Sequence, residues 1–173
     1  MPLSSTYNQI DGVQIRKARR EDLERLRALW RQLDALHAEV QPGFFRLPQE
    51  PRPAAALGQA LGGWDVAILV AGRDGSGEVL GTVSVRLLDT PHEPLMSARR
   101  RGLVEDLIVD RQHRHTGIGA ALMEAAAAWS RRRGAAHLLL TVWEGNRAAE
   151  AFYARLGYGP INRVLGLDLE LDP

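Results

Sequence analysis

Leu107-Ile-Val-Asp-Arg-Gln-His-Arg-His-Thr-Gly-Ile-Gly-Ala120 is the stretch that decides how this chain folds. A short β-branched run breaks into a basic turn, and Gly117-Ile-Gly119 then opens a long Ala/Leu-rich segment with helical periodicity. A strand thus delivers a helix start whose first turn is nearly bare of side chains. The first N–H groups of a helix have no acceptor within it, and the helix dipole adds positive potential there. A phosphate group fits such a start. Arg111 and Arg114 bring further positive charge to the same turn.

The glycine spacing narrows the choice of phosphate. A nucleoside-triphosphate loop requires a Lys after its last glycine, and none follows Gly119. A dinucleotide fingerprint requires a third glycine or alanine where Leu122 stands, and it normally lies early in its βαβ unit. What remains is Arg114-His-Thr-Gly117-Ile-Gly119. This hexapeptide resembles the pyrophosphate loop of the GCN5-related N-acetyltransferases, which bind acetyl-CoA.

A second stretch strengthens the resemblance. Asn146-Arg-Ala-Ala149-Glu-Ala-Phe152-Tyr153-Ala-Arg-Leu156-Gly157-Tyr158 is similar to that family's other signature, at the expected distance downstream. Ala149, Phe152, Tyr153 and Leu156 follow the i, i+3, i+4, i+7 spacing of one helix face, and Gly157 stops the helix. On its own this would be an amphipathic helix with an aromatic core face. Two ordered motifs with a strand between them outweigh that reading.

Composition sets the outer bounds. The chain has 173 residues, 45% of them hydrophobic and 25% charged, with a net charge of +1. That length is expected to form one domain over 1–173 and to bury about 70% of its unfolded surface. The absence of cysteine excludes a disulfide scaffold, a thiolate metal site and a thiol nucleophile. The balanced charge argues against nucleic acid as partner, and no apolar run reaches the roughly 20 residues of a membrane span. The start of the chain does not read as a secretion signal, so a cytoplasmic location is expected. His92, His113 and His115 form no metal pattern, so no metal is expected.

Periodicity places the remaining elements. Strands are expected over 13–18, 65–71, 79–88, 103–109, 137–142 and 164–171, with a hairpin connection at Gly72–Gly77. A helix from Arg20-Glu-Asp22 to about Glu39 carries Leu23, Leu26, Trp30 and Leu33 on one face, and a small helix covers 54–61. Ile118, Leu122, Ala125 and Trp129 form the buried stripe of the main helix, which Arg131-Arg-Arg133 closes where cations suit its dipole. Arg99-Arg-Arg101 reads either as a solvated run or as a flank of a substrate cleft or of the cofactor's 3′-phosphate. The result is a mixed α/β layer fold. The resemblance implies the GNAT-type acyltransferase architecture, a mostly antiparallel central sheet flanked by helices, splayed in a V at the cofactor site.

The resemblance also implies a reaction, acetyl transfer from acetyl-CoA to a primary amine of a small molecule or protein. An alkylamine of pKa near 10.4 is neutral at pH 7 about once in a few thousand molecules, a penalty of roughly 4–5 kcal/mol. A carboxylate in the cleft can take that proton, usually through water. Glu105 and Asp106 are the candidates. As neighbours on a strand they are expected to face opposite sides, Glu105 with Leu103, Leu107 and Val109. Glu105 is the first choice and Asp106 the second, with pairing to nearby arginines as the structural alternative. Tyr153 is the candidate acid, its phenol protonated at neutral pH and able to donate to a departing thiolate of pKa ~8.5.

By the same resemblance, Leu107, Val109, Arg114, His115, Thr116, Gly117, Ile118, Gly119, Ala120, Asn146, Phe152 and Tyr153 would hold the cofactor. Asn146 is equally suited to cap its helix. His115 departs from the pattern, standing where the family commonly has glycine; a positive φ there would cost more with histidine. Phe44, Phe45, Asp106 and Trp143 are candidates for the acceptor pocket, with Asp89, His92, Glu93 and Glu144 in segments that could join them. A homodimer is compatible with the family. The competing function is a CoA-binding or sensing module of the same fold without effective turnover.

Overall fold

The structure is a computed structural model; it describes residues 12–50, 52, 58, 63–73, 77–89, 100–167 and 169. Among the described residues five strands form one sheet in the order β1-β2-β3-β4-β5. They are β1 (Val13–Lys17), β2 (Val66–Arg73), β3 (Val79–Leu88), β4 (Arg101–Val109) and β5 (His137–Leu140). The first four are mutually antiparallel, and β5 runs parallel to β4. Three α-helices lie wholly within the described residues, α1 (Leu23–Val40), α2 (Ile118–Arg131) and α3 (Arg147–Arg155).

The two long helices cover opposite faces of the sheet. Leu26, Leu29, Trp30 and Leu33 of α1 pack on Ile68, Val70, Val79 and Ile108. Ile118, Leu122, Ala125 and Trp129 of α2 pack on the other face against Leu69, Val83, Val85 and Val104. Each fully buried side chain of this size contributes roughly 1.5–3 kcal/mol. The start of α1 is fixed by Asp22, which accepts a two-pronged hydrogen bond from Arg16 at 2.7 and 2.8 Å and one from the Arg19 N–H at 2.7 Å. Burial alone would raise that carboxyl, but the Arg16 and Arg19 bonds outweigh it and hold it below the ordinary aspartate value.

Two features of β4 set up the site. First, Ser84 pairs with Asp106 and Val85 with Val104, leaving Glu105 as the extra residue of a β-bulge. Second, β5 pairs with β4 only over Arg101–Val104. From Glu105 to Val109 that edge of β4 faces no strand among the described residues, so the sheet opens at the bulge.

Several expectations are corrected. Thr141 and Val142 lie outside β5, because the ladder ends where β4 bulges. Of the strand expected over 164–171, the described residues 164–167 and 169 are in no strand. Val164, Leu165, Leu167 and Leu169 are exposed there instead. Their apolar pattern lacks a ladder partner among the described residues, and Gly166 interrupts it. The helix expected over 54–61 falls outside the described residues apart from Gly58, which is helical. The tip of the β2–β3 hairpin, 74–76, also lies outside them. Among the described residues no helix is long and apolar enough to cross a membrane.

Candidate active site

Asp110, just past the end of β4, organises the loop that follows. Its carboxylate accepts hydrogen bonds from Arg25 (2.6 Å) and Gln32 (3.2 Å) of α1 and from the Gln112 N–H (3.0 Å). The Gln32 side-chain oxygen in turn accepts from the Arg111 N–H. Helix α1 therefore clamps the turn between β4 and α2. Burial pushes the Asp110 carboxyl up, but the Gln112, Gln32 and Arg25 bonds prevail and leave it below its ordinary value. Arg25, Gln32 and Asp110 were not among the expected site residues; their coupling spans some eighty residues of chain and leaves no local mark.

The turn then reaches the glycines in a strained conformation. His115 has φ 64° and Gly117 has φ 87°, both in the left-handed region. The Thr116 hydroxyl donates to the His113 carbonyl at 2.7 Å, and Arg114 Nε donates to the Val109 carbonyl at 3.2 Å. The first helical bond of α2 runs from the Ala121 N–H to the Gly117 carbonyl. The N–H groups of Ile118, Gly119 and Ala120 precede it and have no helical acceptor. A Cβ on Gly119 would come within 3.2 Å of the Phe152 ring, so glycine keeps this seat open.

A cleft of about 520 Å³ runs from this helix start along the open edge of β4 to α1. Arg114, His115, Gly117, Gly119 and Ala120 line one end, with Leu107 and Val109 of β4 and Asn146, Phe152 and Tyr153 of the α3 region beyond. Ile118 and Thr116 do not line it with their side chains: Ile118 is buried in the core, and Thr116 is turned onto His113. The Asn146 side-chain oxygen caps α3 through the Ala149 N–H at 3.1 Å.

Glu105 and Asp106 both line the cleft. The bulge overturns their expected separation onto opposite faces. Glu105 accepts from Arg86 Nε at 2.8 Å, and Asp106 accepts from Ser84 at 3.2 Å. Ser84 and Arg86 alternate with Val83, Val85 and Leu87, which pack toward α2, so both carboxylates come to the α1 side. Leu107 and Val109 join Val104 on the α2 face instead of sharing a face with Glu105. Asp106 is also bound by Arg52 at 2.9 Å, whose guanidinium reaches Asp34 of α1 at 2.5 Å as well.

Tyr153 packs between Phe152 (ring centroids 5.1 Å apart) and Tyr158 (5.7 Å). Burial, with a smaller effect from Tyr158, pushes its phenol up to about 12.

Phe44, Phe45 and Trp143 come together in one ring cluster, although none of the three lines the cleft. Trp143 lies 5.5 Å from Phe44 and 4.8 Å from Phe45, and His37 stacks on Phe45 at 5.1 Å. His37 lines the cleft and was not foreseen, although its position four residues after Leu33 places it on the apolar face of α1. Gln41 donates to the Glu144 carbonyl at 2.7 Å, tying the loops that carry these rings. Asp89 lies elsewhere, paired with Arg100 at the far end of β4, which also commits Arg100 of the basic run away from the helix start. His92 and Glu93 lie outside the described residues. Among the described residues no cluster of His, Asp and Glu suits a metal ion.

The family model described as the acetyltransferase (GNAT) family matches residues 30–158. The chain belongs to the GNAT acetyltransferase family. Streptothricin acetyltransferase of Streptomyces lavendulae is 44% identical to this GNAT chain over 72 residues, 42% of this chain and 36% of that protein. The uncharacterized N-acetyltransferase YobR of Bacillus subtilis is 30% identical over 61 residues, 35% of this chain and 25% of that protein. The matches thus span about a third or less of these curated relatives. Among solved structures, the F44R mutant of the BH1408 protein from Bacillus halodurans superposes with a TM-score of 0.84 at 27% identity, covering 90% of this chain and 99% of that one. The aminoglycoside N-acetyltransferase AAC(6')-Iy, in complex with CoA, shares the fold with a TM-score of 0.68 at 18% identity, covering 91% and 100%.

Proposed function

We propose that this GNAT protein transfers an acetyl group from acetyl-CoA to a primary amine of a small molecule or protein. One observation carries the reading: a single cleft joins an anion seat of bare helical amides to a pair of carboxylates and a buried phenol. The seat fits the diphosphate of coenzyme A. Unpaired N–H groups of residues 118–120, Arg114 beside them and the space kept by Gly119 are what such a group requires. The open edge of Leu107–Val109 offers backbone groups to the pantetheine amides, and Asn146 and Phe152 line the same path. Bound acetyl-CoA would supply the acyl group already activated as a thioester.

The chain's own residues would do the rest. Glu105 takes the proton that the amine nitrogen loses on acylation, directly or through water. Its side chain is the more exposed of the two carboxylates, 34% against 17% for Asp106, and it has a single arginine partner. Tyr153, held near 12, keeps its proton throughout the neutral range. Handing that proton fully to a thiolate of pKa ~8.5 would be uphill by about 5 kcal/mol. Its role is therefore that of a hydrogen-bond donor that steadies the departing sulfur. His37 lines the cleft and stacks on the ring cluster of Phe44, Phe45 and Trp143, so the acceptor would enter on this side.

Related proteins named for streptothricin and aminoglycosides, both amine-bearing antibiotics, make such cationic amines the first acceptors to try. The test mixes the protein with acetyl-CoA and an amine panel, following thiol release and a 42 Da increment (about one acetyl group) by mass. Turnover lost in Glu105→Gln and largely kept in Asp106→Asn supports the assignment; the reverse pattern transfers the base role to Asp106. Acetyl-CoA binding without turnover of any amine would favour the sensing module.

A further inference from the structure

Two adjacent carboxylates share one side of the sheet at the bulge, yet their surroundings differ sharply. Glu105 has one partner, Arg86, at the rim. Asp106 is held from two directions, by Ser84 of β3 and by Arg52, which comes from the segment between α1 and β2. Arg52 is itself braced. Its guanidinium bonds Asp34 through two nitrogens at 2.5 and 3.4 Å and lies 5.6 Å from the centre of the Trp30 ring. Its carbonyl accepts from Arg27 at 3.3 Å. Asp34 and Asp106, with 16% and 17% of their side-chain surface exposed, thus share one guanidinium between them.

We propose that Arg52 is a positioning residue that withdraws Asp106 from proton transfer and so leaves Glu105 as the carboxylate that receives the amine's proton. This rests on the acetyl-transfer reading above. The physical reason is a separation of like charges. Unpaired carboxylates on adjacent residues of one face would compete for one proton and titrate as a coupled pair. With Arg52 spent on Asp106 and Asp34, Asp106 is held in a direct ion pair, and Glu105 is the more exposed carboxylate left facing the cleft. The same guanidinium fastens α1 to β4, so the geometry and the charge assignment come from one contact.

Other titratable and charged groups border the cleft that Glu105 lines. Arg86 of β3 meets Glu105 directly, and Asp65 acts on Arg86 in turn. Asp34 acts from α1 through Arg52. His37 of α1, Tyr153 and Arg155 of α3, and His113, Arg114 and His115 of the cofactor turn border the same cleft. The test must therefore isolate Arg52 from this background.

The experiment follows the Glu105 carboxyl by NMR in full-length protein labelled with 13C-glutamate, the resonance being assigned by its loss in Glu105→Gln. Removing the Arg52 charge should raise the Glu105 titration midpoint by about one unit in Arg52→Gln, because Asp106 then repels its ionised form. Adding Asp106→Asn to Arg52→Gln should return the midpoint to its native position. Arg52→Lys keeps the charge without the fork and should give a smaller rise; it decides the matter if Arg52→Gln does not fold. An unmoved midpoint in the single variant, or a rise that persists in the double variant, overturns the proposal. A purely structural Arg52 would lower the melting temperature without moving this resonance. Amine turnover measured alongside separates the two claims, since the titration reads the Arg52 effect even if no amine is acetylated.

Discussion

Gly119 lies against the ring of Phe152, close enough that a Cβ on the glycine would sit 3.2 Å from Phe152 Cζ and 3.7 Å from a Val109 methyl. The residues belong to the two separate motifs of the sequence, so α2 and α3 meet at the proposed anion seat. Gly119→Glu would add both bulk and negative charge where the diphosphate is expected. Calorimetric titration should show acetyl-CoA binding lost in this variant, while circular dichroism shows an intact fold. Native-like binding would remove residues 114–120 from the cofactor site.

His115 occupies the left-handed region at φ 64°, where a side chain costs about 1–2 kcal/mol and histidine is among the more tolerant residues. Glycine would relieve this while loosening the unfolded chain. His115→Gly should therefore stabilise by about 0.5–1 kcal/mol in urea unfolding, and the β-branched His115→Val should destabilise by at least about 1 kcal/mol. A stabilising valine would show that φ at this position relaxes freely.

These positions also show what a sequence can reveal. The glycine-rich turn, the apolar stripes of α1 and α2 and the cap at Asn146 are local chemistry, written in residues a few places apart. The β-bulge is not, because it depends on how Ser84 and Val85 register against Val104 and Asp106 across the sheet. Strict alternation therefore misplaced Glu105 relative to Leu107 and Val109. Arg52 and Asp106 are 54 residues apart, and nothing near either one announces the other. The ring cluster was legible in three of its members, Phe44, Phe45 and Trp143. His37 stayed hidden because a histidine on an apolar helix face reads first as core.

Tyr153 gives a prediction with a pH signature. Its phenol is held up to about 12, mainly by burial, so it stays a donor well beyond the pH at which an ordinary tyrosine ionises. Tyr153→Phe should lower kcat by about 10²-fold, with acetyl-CoA affinity changed little because the ring is retained. The native rate should show no decline assignable to Tyr153 below about pH 11. An alkaline decline near pH 10 that vanishes in Tyr153→Phe would mean that the hydroxyl is less enclosed than the packing of Phe152 and Tyr158 implies.

Asp110 couples the cofactor turn to acid stability. Its carboxyl titrates below the ordinary aspartate value in the folded protein, so the folded state binds fewer protons than the unfolded one near pH 4. The resulting stability is fully present above the unfolded pKa of about 3.9 and is lost as pH falls through the lower, folded value. Asp110→Asn should thus melt below the native protein at pH 6–7, by several degrees if the lost ion pair and hydrogen bonds are worth about 1–3 kcal/mol. The gap should narrow once the pH drops below about 4, where the native carboxyl is itself becoming protonated. Because Arg25 and Gln32 lose the same anchor, acetyl-CoA binding should weaken alongside stability at neutral pH. A variant that melts like the native protein at pH 7, or a gap that widens in acid, would show that the Asp110 clamp does not hold the turn.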